Sequence, residues 1–318
     1  MNVDIFKGSM LGLAIGDALG APVEFKKAGK FEPIDDFQGG GMFKLNPGEF
    51  TDDTSMALCL AESLMRCEGF DAEDQMETYW KWLSEGYLSV RDKAIGVGKT
   101  TMRALFTYNK SGNPYSSIAN PMSAGNGSIM RLAPVPLFYS DDALKAIQMS
   151  GESSKTTHAL QVTTDACKYF GGLIWGAING ISKEELLSDN FSPVKGYWDN
   201  HEMASELSEV ASGSFKIKSP PGIVGSGYVV QSLEAALWAF YKTDSFDEGL
   251  ILAVNLGDDA DTTGAVYGQL AGAYYGLDDI PGRFKDKIAK KELILSYAQA
   301  LYGINRDVVV VIALKRDA

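Results

Sequence analysis

An all-α fold is what the sequence predicts, on two observations. Nearly every apolar segment repeats at the helical and not the strand period, and one short run alone, Asp307 to Leu314 with its VVVVIAL stretch, has the β-branched content of a strand. One strand does not make a sheet.

The elements follow in chain order. From Val3 to Leu19, Phe6, Met10 and Leu13 form one stripe, which Gly20 and Pro22 stop. After Asp53, a second stripe runs through Met56, Leu60 and Leu64. Segments 72–88, 141–150, 158–179, 183–189 and 284–302 read as further helices, with Ser, Asp or Gly between them. Val230, Leu233, Leu237 and Phe240 mark another in GYVVQSLEAALWAF. Segment 190–227 is polar, then rich in Ser, Gly and Pro, and reads as a loop or lid over a site. Beyond Asp261, glycine recurs every four residues at Gly264, Gly268, Gly272 and Gly276. Each costs a helix interior about 1 kcal/mol, so four on one face imply close helix contact or a ligand at the backbone. Asp258, Asp259, Asp261 and Gln269 argue against a membrane helix and for a tightly packed central one.

Composition narrows the partners. The 318 residues suffice for one large domain or two small ones, and no Pro- or Ser-rich linker divides them, so a single domain over 1–318 is expected. A net charge of -12 lacks the basic footprint of a nucleic-acid binder. Cys59, Cys67 and Cys167 are odd in number and sit in apolar stretches, which points to packing roles in a reducing compartment. Asp4 stands where a signal peptide would be basic, and no run has the length of a membrane span without charges or glycines. A cytoplasmic protein is expected.

The chemistry concentrates in two aspartate-threonine clusters about two hundred residues apart, Thr51-Asp52-Asp53-Thr54 and Asp258-Asp259-Ala260-Asp261-Thr262-Thr263. Each opens a helical pattern, where Thr and Asp ordinarily serve as an N-cap and acidic first turn worth about 1 kcal/mol. Several carboxylates where one cap suffices, twice in one chain, favour two halves of a metal site, because adjacent carboxylates repel unless a cation neutralises them. Oxygen ligands suit Mg²⁺, Mn²⁺ or Ca²⁺, and two His with three Cys are too few for a usual zinc site.

Lesser motifs surround these. Gly125-Asn126-Gly127-Ser128 reads either as a phosphate cradle ahead of a helix through Ile129, Met130 and Arg131, or as a plain Asn-Gly turn. Gly98-Lys99-Thr100-Thr101 is not a P-loop, because Lys93 stands where that pattern needs glycine. His158 and His201 are the only histidines, which leaves a Ser-His-Asp or Cys-His nucleophile little support. Glu24, after the first helix, is a candidate carboxylate near the metal.

Taken in order, GLAIGDALGAPVEF, FTDDTSMAL, GKTT, GNGSIMR, TTHAL, GYVVQSLEAALWAF and GDDADTTGAVYGQLAGAYYG resemble the ADP-ribosylglycohydrolase family over about residues 4 to 276. The resemblance implies a compact multi-helix domain with a binuclear cleft holding two Mg²⁺ or Mn²⁺ ions and binding the ADP-ribose moiety of a modified protein. Carried over by motif, Thr51, Asp52 and Asp53 would hold one side of the metal pair, with Asp259, Asp261 and Thr262 on the other. Asp258 stands where the family often has Gly. Glu24 would lie by the scissile ribose and, with Asp53 and Asp259, supply the catalytic carboxylates. Gly125, Asn126, Gly127 and Ser128 would hold the diphosphate, His158 the ribose or phosphate, and Tyr228 the adenine end.

The activity implied is hydrolysis of an N-glycosidic ADP-ribosyl bond, with arginine as the expected linkage and a monomer as the expected state. Nitrogenase-linked members carry an acid/base Asp just before the Ile-Gly of the segment matching GKTT. Here Gly96-Val97-Gly98 occupies that stretch and Asp92 is the nearest carboxylate, so a serine, O-acyl or nucleobase linkage is the alternative. A non-catalytic ADP-ribose-binding or immunity protein is the further one.

Overall fold

The structure, a computed structural model, describes residues 2–304. In chain order it contains α1 (Val3–Gly20), α2 (Asp52–Arg66), α3 (Ala72–Glu85), α4 (Lys99–Ser111), α5 (Pro134–Phe138), α6 (Ala143–Lys155), α7 (Gln161–Ile178) and α8 (Lys183–Leu186). The second half continues with α9 (Tyr197–Asn200), α10 (Ser205–Ala211), α11 (Ser214–Ile217), α12 (Val229–Lys242), α13 (Phe246–Val254), α14 (Ala260–Tyr275), α15 (Gly282–Lys285) and α16 (Lys291–Ile304). Only isolated β-bridges occur among the described residues, in keeping with the all-α expectation. The strand expected at Asp307 to Leu314 lies outside them.

The centre is α1 against α14, antiparallel and backbone to backbone. Both helices carry glycine every fourth residue: Gly8 meets Gly272, Gly12 meets Gly268, Gly16 meets Gly264, and Gly20 meets Ala260. A Cβ at Gly16, Gly268 or Gly272 would lie 2.0 Å from a carbonyl oxygen of the opposing helix. The glycine repeat is therefore helix contact, with the intrinsic cost of each glycine offset by packing at a separation no larger residue permits. Both helices are buried on nearly all sides, and α2, α7, α12, α13 and α16 pack around them.

One buried side chain ties this pair to the loops above it. Gln269 of α14 accepts from the Ala133 N–H at 2.7 Å and donates to the Met130 carbonyl at 2.7 Å, fixing the backbone that follows Gly127. That segment is a series of turns through Arg131, not the helix expected there, and the next helix starts only at Pro134. Other expectations are corrected in detail. Segment 284–302 divides into α15 and α16 around Lys290, whose φ of 53° is left-handed. Helix α4, unanticipated, begins at Lys99. Segment 190–227 buries Leu207, Val210 and Phe215 against α7 and α12, so most of it is packed structure and not a lid. Cys59 and Cys167 are buried, whereas Cys67 is exposed. No described helix is long and apolar enough to cross a membrane.

Candidate active site

Three chain segments bring carboxylates to one place at the floor of a cleft of about 1210 Å³. The last turn of α1 supplies Asp17, and Glu24 follows the short turn Ala21–Val23. The start of α2 supplies Asp52 and Asp53, and the start of α14 supplies Asp259 and Asp261. The positive ends of two helix dipoles thus converge on the cluster, which favours negative charge there.

The capping alternative fails at both helices. Thr51 and Asp259 occupy the N-cap positions of α2 and α14, yet neither side chain makes a capping hydrogen bond. Asp17, from α1, caps α2 instead: it accepts from the Thr51 and Thr54 N–H groups at 2.8 and 3.0 Å and from their hydroxyls at 2.8 and 2.6 Å. The Asp residues of the α2 start are left free for other work. Asp17 is absent from the sequence-derived site; its signal was a lone carboxylate in the otherwise apolar GLAIGDALG.

Two triplets emerge. Carboxylate oxygens of Asp17, Asp53 and Asp261 lie within 4.8 Å of one another, as do those of Glu24, Asp259 and Asp261. Asp261 belongs to both. Burial first, then the charges of Glu24, Asp259 and Asp53, push its carboxyl well above the usual range. Burial and the Asp17 and Asp52 charges do the same to Asp53. Glu24 is pushed up to about 8 by burial and the neighbouring Asp259 and Asp52, and Asp52 to about 7 by burial and Asp17. Among the described residues no Lys or Arg forms an ion pair with these side chains. Glu24 Oε2 and Asp53 Oδ1 are buried without a hydrogen-bond partner among the described residues. Unpaired buried carboxylate oxygens beside like charges are what a hard divalent cation satisfies, so the donor set fits such an ion.

The remaining sequence candidates divide. Asp52, Asp259, Asp261 and Thr262 line the cleft. Thr51 lies behind it, fully buried, donating to Asp17 and lying 3.2 Å from Asp53 Oδ2. Gly125, Asn126, Gly127 and His158 also line it. Asn126 is already committed: its Nδ2 donates to Asp259 Oδ2 at 2.7 Å, and its N–H to the Gly227 carbonyl at 3.0 Å. The turn therefore positions a cluster carboxylate. Ser128 does not reach the cleft wall; its buried hydroxyl meets Ser154 at 2.8 Å and Cys167 at 3.4 Å. Tyr228 is likewise off the wall, bridged to Gly125, while Ser226 and Gly227 before it are on it. Asp92 is exposed and off the wall, whereas Ala94 and Gly96 line it. Gly96, at φ 90°, lies so close to Asp52 that a Cβ there would be 2.4 Å from the carboxylate.

Backbone conformation sets the opposite edge. Phe25 donates its N–H to the Asp258 carbonyl at 2.6 Å, and Asp258 donates to the Lys26 carbonyl at 2.7 Å. Both residues are left-handed, with φ of 64° and 54°. This stitch holds the Glu24 loop to the Asp259 turn, and its left-handed backbone at Asp258 is a conformation that glycine adopts without strain.

A helical scaffold thus gathers acidic side chains from three distant chain segments at one deep cleft. A family model of ADP-ribosylglycohydrolases matches residues 2–308, and the chain belongs to this family of hydrolytic enzymes. ADP-ribosylarginine hydrolase Tri1 of Serratia proteamaculans (strain 568) is 38% identical over 301 residues, covering 95% of this chain and 80% of the relative. ADP-ribosyl-[dinitrogen reductase] glycohydrolase of Rhodospirillum rubrum is 33% identical over 291 residues, covering 89% and 90%. A solved ADP-ribosylglycohydrolase-related protein complex is similar with a TM-score of 0.83 at 42% identity, covering 95% of this chain and 98% of that one.

Proposed function

We propose that the protein removes ADP-ribose from modified arginine on a protein, in a site holding two divalent cations, Mg²⁺ or Mn²⁺. The observation that carries this is the pair of carboxylate triplets joined by Asp261, with partnerless oxygens on Glu24 and Asp53, one triplet lining a cleft large enough for a nucleotide and the other buried directly beneath it. Similarity to relatives named for arginine-linked or dinitrogen-reductase-linked ADP-ribose supports the linkage.

Asp53, Asp259 and Asp261 would hold the cations, assisted by Thr51, Asp52 and Thr262 and by Asp17, which sequence reasoning did not include. When bound, the ions would supply Lewis acidity and lower the pKa of a water. The chain's own groups do the rest. Gly125, Gly127 and His158 would hold the diphosphate, and Asn126 keeps Asp259 aimed at the cluster. Glu24, largely buried beside Asp259, is positioned to hold and release a proton at the scissile ribose. The exposed position of Asp92 favours one alternative, a different ADP-ribosyl linkage, since no carboxylate from that segment lines the cleft.

The test is release of free ADP-ribose, read by mass spectrometry, from matched arginine- and serine-linked conjugates with Mg²⁺, with Mn²⁺ and with chelator. Metal-dependent release from arginine is the expected result. Release from serine alone would transfer the assignment to the other linkage, and binding of ADP-ribose without release from any conjugate would make the protein a binder.

A further inference from the structure

Arg131 is among the largest side chains with no exposed surface, and among the described residues its charge forms no ion pair with a carboxylate. Its guanidinium lies over the Tyr79 ring at 4.4 Å, Nη1 meets Met56 Sδ at 3.7 Å, and Nη2 donates to Thr157 Oγ1 at 2.7 Å. Thr157 Oγ1 in turn lies 2.9 Å from His158 Nδ1. Burying a guanidinium is costly, so its one oxygen partner marks a constraint worth following outward to the cleft.

Proton accounting along this chain has one solution that leaves the Thr157 hydroxyl proton paired. Arginine has only donors, so the Thr157 oxygen must accept from Arg131. The hydroxyl proton of Thr157 then needs an acceptor, and His158 Nδ1 is the one within reach among the described residues. A neutral imidazole that accepts at Nδ1 carries its proton at Nε2. The imidazole is held neutral as well: burial and the nearby Arg131 charge lower its pKa to about 3. Nε2 is on the cleft side, where Cβ atoms built at Gly125 and Gly127 would lie 3.5 and 3.2 Å from it. The backbone is equally fixed, with the His158 N–H on the Ser154 carbonyl at 2.7 Å and the His158 carbonyl accepting from Ser154 and Thr163 hydroxyls.

We propose that Arg131, acting through the Thr157 hydroxyl, is a positioning residue that locks His158 as its Nε2–H tautomer, so that the ring presents a hydrogen-bond donor to the anionic diphosphate of an ADP-ribosyl ligand. The ligand side of this inference rests on the reading of the cleft given under Proposed function; the lock itself does not. A ring of the opposite tautomer would point a lone pair at phosphate oxygens.

The chain offers its own reference, because the only other histidine, His201, has Nδ1 at 2.8 Å from the Tyr197 carbonyl and must carry a proton there. Long-range proton–nitrogen NMR spectra of the ¹⁵N-histidine-labelled full chain at neutral pH, assigned with His201→Gln, read both tautomers without any variant in the network. His158 is expected as Nε2–H. Thr157→Val is expected to populate the Nδ1–H form, to weaken ADP-ribose binding by calorimetry roughly ten-fold or more, as loss of a hydrogen bond to a charged group does, and to raise KM more than it lowers kcat. Thr157→Ser is expected to keep all three properties. An Nδ1–H or doubly protonated ring in the unmodified chain overturns the proposal, as does weakened binding in Thr157→Val with the tautomer unchanged. The Nε2–H ring in a chain that neither binds nor releases ADP-ribose supports the lock and overturns only the reading of the cleft.

Discussion

Replacing Gly16 by alanine tests the central helix contact, and the structure sets the size of the effect. The added methyl would lie 2.0 Å from the Gly264 carbonyl oxygen, 2.2 Å from its carbon and 2.7 Å from the Ala265 nitrogen. All three are backbone atoms of α14, so no side chain can swing aside, and the helices must part by more than an ångström. Alanine in a helix interior gains about 1 kcal/mol over glycine. Overpacking costs about 1–3 kcal/mol where side chains give way and more where they do not. A net loss of about 2–4 kcal/mol is expected, or roughly 3–6 °C in Tm for a chain of this size. Because α1 carries Asp17 next to Gly16, and α14 carries Asp261, turnover should fall with stability. Equilibrium unfolding in denaturant, with Gly282→Ala as the control, is the assay; Gly282 heads a short helix where a Cβ meets nothing closer than 3.5 Å. Gly16→Ala as stable as that control would refute the account of the helix pair.

Three further outcomes are expected. Asp261→Ala should lose at least about a thousand-fold in turnover yet melt no lower than the unmodified chain in chelator, since it removes a buried carboxylate repelled by Glu24, Asp259 and Asp53; full activity would sink the two-cation assignment. His158→Asn should flatten the acid side of the stability curve. With the folded-state pKa near 3 and the unfolded one near 6.5, the unfolded chain binds the extra proton between those values, so the unmodified protein loses up to about 1.4 kcal/mol per pH unit on acidification through that window. Unfolding free energies of the two chains at several pH values between 4 and 7 should diverge on that slope, and parallel curves would contradict it. Asp258→Gly should raise stability by roughly 0.5–1 kcal/mol in thermal melts by relieving a left-handed non-glycine backbone, and a drop would show that the Asp258 side chain makes a contact of its own.

What the sequence made legible was periodic or clustered. The stripes of Phe6, Met10 and Leu13, and of Met56, Leu60 and Leu64, became α1 and α2, and the two aspartate clusters became helix starts facing one cleft. Asp17 escaped because a single carboxylate in a helix end reads as a solvated residue, and its partners Thr51 and Thr54 come from a separate helix. The glycines of α1 are silent for a related reason: the four-residue repeat from Gly264 stands out in a run of small residues, but its counterpart Gly8, Gly12, Gly16 and Gly20 has meaning only when the two are laid antiparallel. Helix α4 has a weak signature, since its first residues Lys99-Thr100-Thr101 are polar, although Thr101, Ala104, Leu105 and Tyr108 repeat at helical spacing. The turn of Ser128 away from the cleft depends on α6 and α7 packing behind the Gly125–Gly127 turn, and the burial of Arg131 on Met56, Tyr79 and Thr157 from three other segments, which no local pattern encodes.

The pairing of α1 with α14 also governs when the molecule comes into being. Helix α1 waits for a partner made some 250 residues later, so loop closure spans almost the whole described chain, the kind of contact that slows folding. Until then the glycine face of α1 is bare and Asp17 has no Asp261 beside it. A chain interrupted before α14 lacks both the helix that packs on α1 and the carboxylates of Asp259 and Asp261, so incomplete products are expected to be inactive.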